Sequence, residues 1–342
     1  MIPGIFLYKS DLHPAAGMLD GLVKYRVQES LTADTVLTWL ILGGFLLLAV
    51  CLVILFQTRS LVKARKLLKE KERALEKIEK RKDELEFRDK NLTDSLVYAQ
   101  RIQEALLPSE DYFRTHFRES FIFFRPKDIV SGDFYWIGEK DDRIFIAGAD
   151  CTGHGVPGAL MSMIGLEIIE KTINEDNIIV PSDILAILNR ALEKTFSRQK
   201  NIGTIIRDGM DIGLCVIDRK RKKAEYAGAF FPLYLIRDDK LIEFGGDKLI
   251  IGMNPAGLSY VNQEIELMDN DILYLFSDGY VDQFGGTENK KFMYRRFRYL
   301  LTTIHRFPVN DQKAILDENI KTWMSGNPQI DDIMVIGFRP LS

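Results

Sequence analysis

The chain has 342 residues, enough for one catalytic domain of ordinary size plus an accessory region. Its 46 Lys and Arg against 49 Asp and Glu leave a formal charge of −3, so no basic footprint supports a nucleic-acid partner, and no nucleic-acid motif is present. The three cysteines, Cys51 in an apolar run and Cys151 and Cys215 in core or site positions, imply no disulfide framework and suit a reducing cytosol.

Residues 1–35 are mixed in character and are expected to form a short extracytoplasmic segment. Residues 36–56 (VLTWLILGGFLLLAVCLVILF) carry no charge; at ~1.5 Å per residue they reach ~32 Å, enough to cross a hydrocarbon core of ~30 Å. A buried core helix is the alternative, but an apolar surface on every side favours a membrane span. A cleaved signal peptide is disfavoured, because the run is too long and begins too late. Arg59, Lys63, Arg65, Lys66 and Lys69 follow it closely, against only Lys24 and Arg26 before it, which places the C-terminal side in the cytoplasm.

Residues 59–107 contain neither proline nor glycine and are densely charged between Lys63 and Lys90, the mark of a long exposed helix. Glu76 with Lys80, Glu84 with Arg88 and Glu86 with Lys90 stand at i and i+4 in the favourable orientation. Beneath the charge, Leu61, Ala64, Leu68, Leu75, Ile78, Leu85, Leu92, Leu96, Ala99 and Leu106 follow alternating spacings of three and four, a heptad seam interrupted by Lys71, Lys82, Asp89 and Gln103. The expectation is a coiled coil joining two copies in parallel, since both start from the same membrane face. Pro108 closes the helix.

Residues 109–342 read as a globular domain. Short apolar runs at 121–124, 143–149, 210–217, 233–236, 241–244 and 272–276 predict strands, several joined by charged turns such as Asp238 with Asp239. Helical periodicity covers 156–173, 182–196, the neighbourhood of 289–302 and 310–324, with Ser182 and Asn310 as expected caps. The fold class is α+β, with a mostly antiparallel sheet.

Aspartates punctuate the apolar runs. Asp133 lies in a glycine-containing turn, Asp150 follows RIFIAGA, Asp278 follows DILYLFS, and Asp331 and Asp332 precede IMVIGF. Each alone reads as a strand or turn cap. Four acid-bearing strand ends, however, suggest convergence, and clustered carboxylates need either a shared proton or a cation. Hard divalent ions, Mg²⁺ or Mn²⁺, suit such ligands best. After Asp150, Gly153, Gly155 and Gly158 supply a backbone able to bend tightly, and Pro157 suits a helix start.

Five blocks occur in order: GDFYW at 132–136, ADCTGHGVPGALMSMIG at 149–165, DGMDIGLCVID at 208–218, FSDGYVDQ at 276–283 and DDIMVIGF at 331–338. Together they resemble the metal-dependent serine/threonine phosphatases of the sporulation stage II protein E type, relatives of protein phosphatase 2C. YAQRIQEALLPS at 98–109 resembles the helical lead-in of that type. The resemblance implies an αββα sandwich with two Mn²⁺ or Mg²⁺ ions at one edge of its sheets. It implies that Asp150 bridges the ions, that the backbone carbonyl of Cys151 completes one shell, that Asp278 and Asp331 bind the first ion, and that Asp133 serves the second directly or through water. Asp332 is the alternative to Asp331. Asp133, Asp150 and His154 would be the catalytic residues, His154 protonating the leaving serine or threonine oxygen. Ser131 departs from the commoner glycine, and no arginine matches the phosphate-binding arginine of the eukaryotic relatives, leaving Arg125 or Lys127 for that task. The implied substrate is a phosphoprotein, by family analogy an anti-sigma-factor antagonist.

Other functions fit less well. A cysteine phosphatase requires arginine six residues after Cys151, where Pro157 stands. A cyclic-dinucleotide synthase of the GGDEF type shares the membrane and coiled-coil layout, but SGDF has Phe134 at the fourth signature position and no second block follows. A catalytically dead binding module is the remaining alternative, and the aspartates are all present against it. The expected organisation is thus 1–35 extracytoplasmic, 36–56 a transmembrane helix, 59–107 a coiled-coil signalling helix and 109–342 a cytoplasmic phosphatase domain at the inner membrane.

Overall fold

The computed structural model describes residues 13–197, 208–254 and 258–342. The chain divides into two compact units, Met1–Arg88 and Asp89–Ser342. The described part of the first is helix α1 (His13–Leu106), which also supplies the opening residues of the second. Apolar side chains from Val36 to Phe56 are uncovered, as are Leu61, Leu68, Leu75, Ile78 and Leu85 of the heptad seam. Of the three expected i to i+4 ion pairs none lies within 4 Å; Glu86 instead meets Lys82 at 3.4 Å. Both side chains are exposed, and an exposed pair of either orientation stabilises by under ~1 kcal/mol.

The second unit is built from two antiparallel sheets. Its strands are β1 (Ser120–Arg125), β2 (Phe134–Lys140), β3 (Arg143–Cys151), β4 (Met210–Asp218), β5 (Lys223–Ala229), β6 (Leu233–Arg237), β7 (Lys240–Phe244), β8 (Gln263–Glu266), β9 (Ile272–Phe276), the two-residue pair β10 (Phe284–Gly285) and β11 (Lys290–Lys291), and β12 (Ile333–Phe338). One sheet has the order β1-β12-β9-β6-β7, the other β2-β3-β4-β5-β8. Central strands such as β9 (ILYLF) and β12 (IMVIGF) are buried along their whole length, as their unbroken apolar runs require. The two-residue turns Asp141–Asp142 and Asp238–Asp239 hold positive φ at both positions, the geometry that lets a hairpin follow the strand twist and that aspartate tolerates.

Helices α2 (Glu110–His116), α3 (Val156–Asn174), α4 (Pro181–Ser197), α5 (Gly279–Asp282), α6 (Tyr294–Ile304) and α7 (Val309–Met324) complete the unit. Three apolar cores separate its layers. The first packs α3 and α4 on β2–β5 through Phe134, Leu166, Leu188 and Leu214. The second fills the space between the sheets through Ile146, Cys215, Leu235 and Leu275, and the third packs α6 and α7 on the other sheet through Phe276, Phe297 and Leu316. Helices, two sheets and helices thus form four layers. Ser182 and Asn310 do not cap their helices. Proline takes the boundary in each case, Pro181 opening α4 and Pro308 preceding α7, because its fixed φ needs no amide hydrogen there. Asn310 instead accepts from Arg114 Nη2 at 2.9 Å.

The end of α1 is fastened to this unit by a residue that the heptad pattern marks only as a polar interruption. Buried Gln103 donates from Nε2 to Ser131 O (2.7 Å) and Ser162 Oγ (2.9 Å), and its Oε1 accepts from Ser131 N (3.0 Å). Leu96 and Ala99 are half-buried, whereas Leu106 at the end of the seam stays exposed. Gln103→Leu keeps the volume but leaves both backbone groups of Ser131 without partners. The expected loss is about 2 kcal/mol of unfolding free energy, measured by urea denaturation followed by tryptophan fluorescence; an unchanged midpoint would show that water replaces the amide freely.

Candidate active site

The sandwich brings the acids to one end of both sheets. Asp133 immediately precedes β2, Asp150 lies one residue from the end of β3, Asp278 stands between β9 and α5, and Asp331 lies two residues before β12. Asp150, Asp278 and Asp331 line one cavity of about 270 Å³, together with Cys151, Thr152, Gly153, His154, Ile250 and Asp211. Asp133 lies beneath this wall, 1% exposed, where Ser277 Oγ donates to its Oδ2 at 2.5 Å. Ser277 Oγ also accepts from Met334 N (3.0 Å), so one hydroxyl joins β9, β12 and Asp133.

Close backbone approach makes this possible. A Cβ on Gly158 would lie 2.1 Å from Gly153 O, and one on Gly132 would lie 2.8 Å from the same oxygen. The turn after β3 therefore rests directly on the residue before Asp133, and Gly153 and Gly155 take positive φ (87° and 68°) to form it.

Electrostatically the acids oppose one another. Burial first and the neighbouring Asp150 second push the Asp133 carboxyl well above the ordinary range, against the opposing effect of Ser277. Asp150 is pushed up by burial, then by Asp278 and Asp331. Burial also raises Asp331, with the bond from Asp332 N working the other way. Asp278 rises to about 6 through burial and Asp282, and Asp211 to about 6 through burial and Asp278. Burial and Asp150 push up the Cys151 thiol, which keeps it neutral.

Asp331 and Asp332 point to different tasks. Asp332 is buried, and its two oxygens accept from Lys127 N and Gly132 N, each at 2.7 Å; Asp331 faces the cavity. Asp332 is thus occupied in holding the loop between β1 and Asp133. Arg125 lies elsewhere, lining a larger cleft and 3.8 Å from Asp317, whereas the charge of Lys127 is felt at Asp331. Asp211, Ser277, Gln103 and Asp128 were not singled out by motif and spacing as site residues. Asp211 carries a signal in retrospect, a carboxylate opening an apolar strand opposite Asp150 in the β3–β4 register.

Buried, clustered carboxylates match the donor chemistry of hard divalent ions. Among the described residues no three His, Cys, Asp or Glu side chains gather closely enough to enclose an ion unaided. Backbone carbonyl and water ligands would have to complete any shell, as Mg²⁺ commonly requires.

Residues 140–340 match the family model of stage II sporulation protein E (SpoIIE). The structure resembles the SiaA-PP2C domain of Pseudomonas aeruginosa at 34% identity and a TM-score of 0.67, covering 73% of this chain and 98% of that one. The phosphatase and regulatory-domain fragment of SpoIIE from Bacillus subtilis shares the fold at 18% identity and a TM-score of 0.53, covering 65% and 62%. The RsbU and RsbW domains of a Mycobacterium tuberculosis protein share it at 16% and 0.50, covering 64% and 59%. No curated protein sequence matched. The chain belongs to the SpoIIE family, and its second unit is a PP2C-like serine/threonine protein phosphatase domain. The family is metal-dependent.

The raised carboxyls make stability depend on pH. Asp211 and Asp278 titrate near 6 in the folded protein against an ordinary value of 3.8, so the folded state holds more protons between those values. Their contribution is fully present at the acid end and is lost as pH rises through about 6. In chelator the melting temperature is expected to fall across this window, and Asp211→Asn should raise it at pH 7. Mn²⁺ should stabilise more at pH 7 than at pH 5. A melting temperature in chelator that climbs with pH over the same range would contradict this crowding.

Proposed function

We propose that the chain is a membrane-anchored phosphatase that hydrolyses phosphoserine or phosphothreonine on a regulatory protein, using two Mn²⁺ or Mg²⁺ ions. The observation that carries this reading is the cavity shared by Asp150, Asp278 and Asp331 above buried Asp133, a cluster of carboxylates at one end of both sheets. Asp150 is read as the shared ligand, Asp278 and Asp331 as ligands of the first ion, Cys151 as a carbonyl donor and Asp133 as serving the second. Asp332 is read as a support for the loop that carries Asp133. Ions held there would supply the Lewis acidity that ionises a water and steadies the phosphoryl oxygens. His154, on the cavity wall, is read as the acid that protonates the departing seryl or threonyl oxygen, and Lys127 as the cation nearest the phosphate.

The uncovered apolar run at 36–56 supports a single membrane span, and the basic residues after it support a cytoplasmic catalytic domain. The uncovered seam from Leu61 to Leu85 supports a parallel coiled-coil dimer. By analogy with the family, the substrate is a phosphorylated anti-sigma-factor antagonist. The organisation is read as 1–35, 36–56, 59–107 and 109–342.

The full chain in detergent should hydrolyse p-nitrophenyl phosphate and phosphoserine proteins only with Mn²⁺ or Mg²⁺. Asp150→Asn or Asp278→Asn should lower turnover at least ~100-fold, about 3 kcal/mol, because the amide keeps the shape and removes a ligand charge. Cys151→Ser should stay within ~5-fold, since only the carbonyl is used and the thiol is neutral. Full turnover in chelator would overturn the assignment of the ions.

The continuity of α1 from the apolar run to Gln103 supports a second expectation. Seven residues inserted near Lys80 preserve the heptad phase and should leave activity near that of the native chain. Two residues rotate everything beyond by ~200° and should fix activity high or low. Equal behaviour of the two insertions would make the helix a passive tether.

A further inference from the structure

His154 has a partner that no motif marked. Its Nδ1 lies 2.7 Å from Asp128 Oδ2. A carboxylate only accepts, so Nδ1 carries the hydrogen and donates it. His154 lines the acidic cavity, whereas Asp128 does not, so the carboxylate backs the ring from outside the site. The turn carrying the ring is shaped by Gly153 and Gly155, and a Cβ at Gly155 would stand 3.4 Å from Asp128 Oδ2. Asp128 is itself held on a fixed loop, because buried Asp332 accepts from Lys127 N on one side and Gly132 N on the other. One carboxylate therefore anchors the loop, and the loop presents a second to the imidazole.

The pair adds little to the fold. Its side chains are 50% and 45% exposed, and an ion pair so open to water is screened and contributes little. What the contact does settle is orientation. With Nδ1–H committed to Asp128, Nε2 is the nitrogen left to the cavity, the division of labour that makes an imidazole a directed acid.

We propose that Asp128 is a positioning residue for the phosphatase reaction, acting through His154; this rests on the reading of His154 as the acid. In the step concerned, hydroxide, formed as a water gives its proton to solvent, makes a new P–O bond. The bond from phosphorus to the seryl oxygen breaks, and that oxygen keeps the electron pair. It takes the proton from Nε2 of the imidazolium, leaving a neutral ring with Nδ1–H still on Asp128. Solvent returns a proton to Nε2. Asp128 neither touches the substrate nor changes protonation.

The test uses leaving groups that differ in their need for that proton. p-Nitrophenolate leaves as a stable anion, whereas a seryl oxygen does not. In the full chain with saturating Mn²⁺, Asp128→Ala should lower kcat on a phosphoserine protein by ~10- to 100-fold, the scale of an impaired general acid, and on p-nitrophenyl phosphate by less than ~3-fold. His154→Ala should show the same selectivity, and the double variant should lose no more than His154→Ala alone. Asp128→Asn, which retains an acceptor, should recover part of the loss. Retained turnover of the aryl phosphate reports that the variants fold and bind metal. Equal losses on both substrates, or additive losses in the double variant, would overturn the role of Asp128. If His154→Ala itself shows no selectivity, the acid reading falls with it, while aryl phosphate hydrolysis still upholds the phosphatase.

Discussion

The structure depends on tolerating buried negative charge at the end of two sheets. Asp133 and Asp150 are drawn out of water; Asp150 raises Asp133, and Asp278, Asp331 and Asp211 raise Asp150. Removing charge from Asp150, Asp278 or Asp211 would relieve repulsion, so stability alone does not account for the cluster. A site that opposes its own scaffold in this way is the usual mark of function. Divalent ions would turn the opposing charges into ligands, and binding them would then be linked to stability as well as to activity.

Holding such a cluster together falls to groups outside it. Ser277 ties Asp133 to β9 and β12, Asp332 spends both its oxygens on backbone amides, and Gln103 clamps Ser131 from α1. None of these places a positive charge in the cavity. The scaffold fixes geometry through neutral donors and backbone contacts. Gln103 also gives the helix end a direct purchase on the loop before Asp133, two residues from a candidate ligand.

The two units meet opposite physical demands. The phosphatase domain buries its apolar residues in three layered cores, and its strands are apolar throughout where helices cover the outer face. In α1 the apolar residues from Val36 to Phe56, and those of the seam as far as Leu85, have no cover. Apolar surface of that extent needs a nonpolar surrounding or a partner helix, the reason the proposal assigns it a bilayer and a second copy.

Periodicity and local chemistry were enough to anticipate much of the architecture. The apolar runs of β1, β3, β4, β6, β7 and β9, the helices α3, α4 and α7 and the paired-aspartate turn at 238–239 all follow from short-range preferences. So did the acids at strand ends, because a carboxylate next to an unbroken apolar run stands out in one dimension. β5 (KAEYAGA) and β8 (QEIE) escaped because their glycine, alanine and glutamate carry little strand preference, and pairing with β4 decides them. Sequence spacing likewise left Asp332 open as the alternative to Asp331. In the fold the two differ, because the amides of Lys127 and Gly132 come across some 200 residues to Asp332 while Asp331 faces the cavity. Asp211 opposite Asp150, Asp128 behind His154 and Gln103 against Ser131 are contacts of the same kind: distant in the chain, set by strand register and backbone approach, and invisible to any local pattern.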